Sequence, residues 1–251
     1  MAIIWHKTVQ GVRYEIRGAG KTLRLYTNGV FHSQYNPNQL LTGGVWDLLM
    51  LPALFYSPEQ IKRVLVLGVG GGAVIRLLNT FATPQTIVGV ELSRQHLSLA
   101  RRFFGIKGKT IQLVHAEAVD WLQRYSGPPF DMIVDDLFGE ENGEPVRAVS
   151  LDKTWCELLT RNVTKHGVIV ANTVSKAELN GSAFMTNRTV ARRFHSAHTL
   201  TLPTYENTIV AFFKIQVSRK QLDEQIASFS DPAHKNALRK LSFRLRTLKN
   251  K

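Results

Sequence analysis

Cysteine is almost absent from this chain, acids are few, and long apolar runs are missing. With Cys156 as the single cysteine, no intramolecular disulfide can form, which fits a reducing compartment. One cysteine could serve as a nucleophile, but on the helix-like run TWCELL it reads as a small buried residue. The longest apolar stretch, LLMLPALFY, contains Pro52 and falls short of the roughly 18 residues of a membrane span. MAIIWHK lacks the basic-then-apolar order of a signal peptide. The expectation is a cytoplasmic protein with no membrane span.

Acids number 19 against 32 bases, a net charge of +13. The excess is concentrated: Lys235, Arg239, Lys240, Arg244, Arg246, Lys249 and Lys251 face no acid within the last seventeen residues. Such a field attracts anions, whether nucleic acid, an acidic membrane surface or an acidic partner. Its one aromatic, Phe243, offers no stacking platform for bases. Any nucleic-acid contact through this tail would therefore be weak, electrostatic and salt-dependent.

Three regions follow from the pattern. In residues 1–56, VRYEIRG, KTLRLYTN and VFHSQY are strand-like runs, the last two joined by Asn28-Gly29, a strong hairpin signal. GGVWDLLMLPALF reads as a helix. Residues 57–216 alternate strands of continuous Val, Ile and Leu with amphipathic helices, which predicts an α/β, Rossmann-like fold: a mostly parallel sheet with helices on both faces. LTLPTYENTIVAFFKI adds one or two strands near the edge. Residues 217–251 read as a basic helical tail, starting with Asp231 as N-cap before Pro232. Leu238, Leu241, Leu245 and Leu248 form one helical stripe that would permit a homodimer.

RVLVLGVGGGAVIRLL places a glycine loop after the first strand of the alternating region and before a helix. That setting brings backbone N–H groups and a helix N-terminus to a ligand. A dinucleotide loop and an S-adenosylmethionine loop both fit; Gly68, Gly70 and Gly72 match the Gly-x-Gly-x-Gly of methyltransferases. Either fold wants an acid at the second strand's end for ribose hydroxyls, and Glu91 in TIVGVE stands there. Glu117 in HAEAVDWL holds the adenine-side position of methyltransferase-like proteins and favours the adenosyl reading. FDMIVDD puts Asp135 and Asp136 at the carboxyl edge of the fourth strand, where open α/β sheets bind ligands.

As a set these segments resemble the spermidine synthase family, the polyamine aminopropyltransferases and their methyltransferase-fold relatives, over residues 20–215. LRLYTNGVFHS is similar to the family's N-terminal hairpin, VLVLGVGGGAV to its Gly-Gly-Gly-Asp-Gly-Gly loop, and VGVEL to Val-Glu-Ile-Asp. HAEAVDWL resembles Gly-Asp-Gly/Ala-x-x-Phe/Tyr-Leu, FDMIVDD resembles Tyr-Asp-Val-Ile-Ile-Val-Asp, and LPTYENT resembles Pro-Thr-Tyr-Pro-Ser-Gly. The resemblance implies an adenosyl site built from His32, Gly68, Gly70, Gly71, Gly72, Glu91, Leu92, Glu117, Ala118 and Asp135, with Asp135 and Asp136 catalytic.

The family pattern also breaks. Its loop acid becomes Gly71, and its hairpin glutamine becomes His32. In the family the fourth strand continues Asp-Ser-Ser-Asp-Pro; matching Asp135 to the first acid leaves Phe138 at the second. The Tyr-x-Glu of the next helix has no counterpart in LLTGGVWDLL. Buried ammonium groups need paired carboxylates, so these losses favour S-adenosylmethionine over its decarboxylated form. The reading is methyl transfer to a small-molecule or anionic acceptor with Asp135 as base. One alternative is aminopropyl transfer from decarboxylated S-adenosylmethionine to a diamine, using Asp135, Asp136 and Glu140 or Glu141 of the acidic loop GEENGEP, which would lid the site. Another is a non-catalytic adenosyl- or nucleic-acid-binding protein. His115, His195 and His198 have no metal spacing, and no metal is expected.

Overall fold

The computed structural model describes residues 1–248. Lys249 and Lys251, counted above in the basic tail, lie outside the described residues. Four strands come first: β1 (Ala2–Val9), β2 (Val12–Ala19), β3 (Thr22–Thr27) and β4 (Val30–Tyr35), paired consecutively in an antiparallel sheet. Asn28 and Gly29 join β3 to β4 with φ of 49° and 87°, both positive as a type I′ turn requires. β1 escaped the sequence reading because nearly all its residues face solvent, so no buried alternation marks it.

GGVWDLLMLPALF splits into α1 (Val45–Met50) and a 3-10 turn, Leu51–Phe55. Pro52 lacks the N–H that a continuing α-helix needs. The alternating region follows: β5 (Arg63–Leu67), α2 (Ala73–Phe81), β6 (Thr86–Glu91), α3 (Arg94–Phe103), β7 (Ile111–His115), α4 (Ala118–Arg124) and β8 (Phe130–Asp135). The acidic loop is itself a hairpin, β9 (Phe138–Glu141) and β10 (Glu144–Arg147). Then come α5 (Lys153–Asn162), β11 (Val163–Thr173), and three short helices, α6 (Lys176–Gly181), α7 (Ala183–Thr186) and α8 (Arg188–Ala191). β12 (Ser196–Thr201), β13 (Thr208–Phe213), α9 (Arg219–Ser228), α10 (Pro232–Lys240) and β14 (Arg244–Leu248) complete the described chain.

The main sheet has eight strands in the order β14-β12-β13-β11-β8-β5-β6-β7. β11, β8, β5, β6 and β7 run parallel, and β13, β12 and β14 add antiparallel pairs. The central strands are apolar through their middles, as in VLVL, IVGV, MIV and VIVA, because both faces are covered there. Val64 and Val66 of β5 enter one core cluster, and Leu65 and Leu67 enter the other. The chain winds outward from β5 through β6 to β7 and returns as β8 on the other side of β5. Such a reversal of strand order opens a crevice at the carboxyl ends of the strands.

The C-terminal reading needs correction. The helix starts at Asp231, whose side chain accepts from the Ala233 N–H, but α10 ends at Lys240. Residues 244–248 pair with β12 instead. The edge of β12 offers a row of backbone groups, and a two-residue period sends Leu245 and Leu248 to opposite faces. Leu245 packs on one core cluster and Leu248 on the other, so the leucine stripe does not exist as one face. No described helix is long and apolar enough to cross a membrane.

Candidate functional site

A cavity of about 450 Å³ lies over the crevice. Its floor comes from the ends of β5, β6, β8 and β11, and its walls from the β3–β4 turn, α1 and the β9–β10 hairpin. The glycine loop forms one side. Gly68 stands at φ 84°, and a Cβ there would lie 2.2 Å from the Asp136 carbonyl oxygen. Only glycine lets the loop cross β8 so closely.

Glu91 ends β6 and turns to that loop. Its Oε2 accepts the N–H groups of Val69 and Gly70, each at 2.9 Å, and its Oε1 accepts the Ser93 N–H at 2.8 Å. His96 Nδ1 stands 3.4 Å from Oε1, while its Nε2 meets Thr27 Oγ1 at 2.8 Å. Burial alone would raise the Glu91 carboxyl; His96 and the backbone donors outweigh it and hold it at about 2. Glu91 is thus a fixed anion that pins the loop and, through His96, the N-terminal sheet. His32 lies on the cavity wall with its ring 5.1 Å from that of His96. Burial first, then His96, pushes its pKa down to about 4 against the pull of Glu91, so His32 is neutral at neutral pH.

At the mouth, Glu117 caps α4, its two oxygens accepting from Val119 at 3.0 Å and Asp120 at 2.8 Å. Leu92 and Ala118 line the same end, Leu92 with 69% of its surface exposed. Gly68, Gly70, Glu91, Leu92, Glu117, Ala118 and His32 are therefore brought together as read from the sequence. Gly71 and Gly72 are not on the wall. A Cβ on Gly71 would lie 2.7 Å from Ser33 Cβ, and one on Gly72 would lie 2.4 Å from Ile106. Ser33, fully buried on β4, fills the space beside Gly71.

The catalytic assignment of Asp135 is corrected. The two-residue period of β8 turns Asp135 to the side of Ile133, into the second core cluster. It is fully buried there, its Oδ2 accepting from Trp155 Nε1 and Arg147 Nη2, both at 2.8 Å. Asp136, just past the strand, faces the cavity. Counted from Phe130, the seventh residue of the strand is Asp136, so the family's first acid matches Asp136 and the second position falls on Gly139. Asp136 Oδ1 accepts from Asn172 Nδ2 at 2.8 Å, and Asn172 Oδ1 accepts from Asn207 Nδ2 at 3.0 Å. Burial pushes the Asp136 carboxyl up to about 6, aided by Asp135 and Glu91 and opposed by Asn172 and Arg147. A carboxylate poised near neutral pH, at a cavity floor, is suited to taking a proton.

Sequence reasoning missed several wall residues. Tyr205 lies in the LPTYENT segment whose resemblance was noted, so its signal was present. Asn172 ends β11 at the same carboxyl edge as Asp136. Trp46 carried no signal. Its neighbour Asp47 is an acid at the start of α1 after all, but it is fully buried, and its Oδ2 accepts from the Thr42 and Gly43 N–H groups.

Comparison with known proteins gives the family. The model of the spermine/spermidine synthase domain matches residues 47–234. Polyamine aminopropyltransferase 2 of Caldanaerobacter subterraneus subsp. tengcongensis is 30% identical over 144 residues, 55% of this chain and 47% of that protein. The chain spans about half the length of the curated relatives it matches. A probable spermidine synthase from Corynebacterium glutamicum superposes with a TM-score of 0.71 at 16% identity, over 94% of each chain. The spermidine synthase of Thermotoga maritima gives 0.68 at 14% identity, over 96% of this chain and 84% of that one. With three-quarters of its length matched by that domain model, the chain belongs to the spermine/spermidine synthase domain family.

Proposed function

We propose that this chain transfers a carbon group from an adenosyl sulfonium donor to an amine, with Asp136 as the base. The observation that carries the reading is the placement of Asp136, a carboxyl pushed up to about 6 on the wall of the cavity that Gly68, Gly70, Glu91 and Glu117 also line. Glu91 and Glu117 would face the ribose and adenine, and exposed Leu92 offers the purine an apolar surface. The acceptor nitrogen forms a C–N bond to the carbon carried by sulfur. The C–S bond breaks with its electron pair going to sulfur, and Asp136 takes the proton the nitrogen sheds. The donor carries its own leaving group, so the protein contributes mainly alignment and the proton acceptor.

Relatives named polyamine aminopropyltransferases support the aminopropyl group of decarboxylated S-adenosylmethionine as the group moved. A second reading, methyl transfer from S-adenosylmethionine, draws on one observation: Ser33 occupies the space a side chain on Gly71 would need, so the loop has no acid for an aminopropyl ammonium. Incubation with either donor and an amine panel separates the two. Release of methylthioadenosine from the decarboxylated donor is expected; release of S-adenosylhomocysteine from the ordinary donor supports methyl transfer; neither product contradicts a transferase. The exposed bases of α10 and β14, Arg239, Lys240, Arg244 and Arg246, would add a salt-dependent attraction for polyanions.

A further inference from the structure

Among the described residues, three carboxylates reach the cavity wall: Glu91, Glu117 and Asp136. Two are spent. Both oxygens of Glu91 hold the N–H groups of Val69, Gly70 and Ser93, and both oxygens of Glu117 cap α4. Asp136 lines the cavity and gives Oδ1 to Asn172, while its Oδ2 has no hydrogen-bond partner among the described residues. The other acids of the neighbourhood stand off the wall. Asp47 is buried in the first turn of α1, Glu140 accepts the Gly143 N–H on the hairpin, and Glu206 is exposed to solvent.

What faces Asp136 across the acceptor end is uncharged. Phe31, Trp46, Phe138 and Tyr205 form it, with Phe31 and Trp46 edge to face at 5.1 Å. The polar groups there, Asn172 and Asn207, are neutral and bonded to one another. No lysine or arginine of the described chain lies on the wall.

Resting on the transferase reading above, we infer that the acceptor is a monoamine: a single amino group on an apolar or aromatic body. A diamine or polyamine brings a second fixed cation to a site where the decarboxylated donor already brings a sulfonium and an ammonium. Burying an ammonium without a paired carboxylate is costly, and the attraction of a ring face for a cation is smaller than that cost. An apolar or aromatic body meets the four aromatic walls instead, where its burial is favourable. The amino group then stands at Asp136 Oδ2, the one carboxylate oxygen left to receive its proton.

The test is an acceptor panel with decarboxylated S-adenosylmethionine, comparing 2-phenylethylamine with 1,4-diaminobutane and spermidine by methylthioadenosine release and product mass. Calorimetric titration of the same amines into protein saturated with methylthioadenosine gives a readout free of turnover. A kcat/KM at least tenfold higher for 2-phenylethylamine, with tighter binding in the same order, is expected. Equal or better use of the diamine overturns the inference while leaving the transferase intact. No turnover of any amine with either the decarboxylated or the ordinary donor, each shown to be bound, overturns the transferase reading and the inference with it. Asn207→Asp adds a carboxylate beside Asn172 on the cavity wall and is expected to shift the preference toward the diamine by about tenfold; an unchanged preference in the folded variant also overturns the inference.

Discussion

Asp136 carries a carboxyl held at about 6, and this would set the pH dependence of the proposed transfer. A base works only when deprotonated, so kcat/KM is expected to fall as pH drops through about 6 and to level off above it. Asn172 opposes the upward shift, so Asn172→Ala is expected to move that limb to higher pH. Asp136→Asn should lower kcat by roughly 10²–10⁴-fold with little change in donor binding, while Asp135→Asn removes a charge that aids the upward shift and should move the pH limb to lower pH. A pH–rate profile of each variant checks the three outcomes. Gly71 makes a steric prediction at the same scale. Gly71→Ala drives a methyl to 2.7 Å from Ser33 Cβ and is expected to cost about 1–3 kcal/mol; adding Ser33→Gly should recover most of the loss, read by thermal unfolding.

A buried arginine anchors the β9–β10 hairpin to the body. Arg147, the hairpin's last residue, is almost fully buried and donates to Asp135 Oδ2 at 2.8 Å, to the Asn172 carbonyl at 2.6 Å and to the Val149 carbonyl. It also faces Glu178 at 3.3 Å. Arg147→Met leaves Asp135 as a buried unpaired charge, at an expected cost of about 3–5 kcal/mol. Asp135→Asn on top of it removes that charge while keeping an acceptor for Trp155, and should restore more than half the loss. Thermal unfolding of the single and double variants measures both; a fully additive double variant would contradict the pairing. Elements of this kind separate what could be read in advance from what could not. β5, β6, β8 and the glycine loop announce themselves because apolar runs and glycine punctuation are local. The hairpin GEENGEP looked like a loop because its burial is slight, and Arg147 and Asp135 are joined only when the sheet is assembled. The error over Asp135 was one residue of strand register, which flips a side chain from cavity to core. β14 was misread because leucines three and four apart suit a helix, and only the edge of β12 makes them a strand.

Across the whole molecule, two cores on the faces of one sheet carry the stability, and the cavity sits where strand order reverses. Its position was legible in the order of motifs, since Glu91, Glu117 and Asp136 fall at successive strand ends. The acceptor end was not, because Phe31, Trp46, Tyr205 and Asn207 come from three distant parts of the chain. Positive charge is spread rather than confined to the C-terminus: Arg94, Arg101, Arg102 and His115 line an open groove on α3 and β7. The central claim is narrower than any of this: the cavity binds an adenosyl thioether or sulfonium through Glu91 and Glu117. Calorimetric titration with methylthioadenosine tests it most directly, because that molecule is the part common to both proposed donors. One site per chain, weakened at least tenfold by Glu117→Ala in a variant with an unchanged circular dichroism spectrum, is predicted. No binding, or binding indifferent to Glu117, would contradict it.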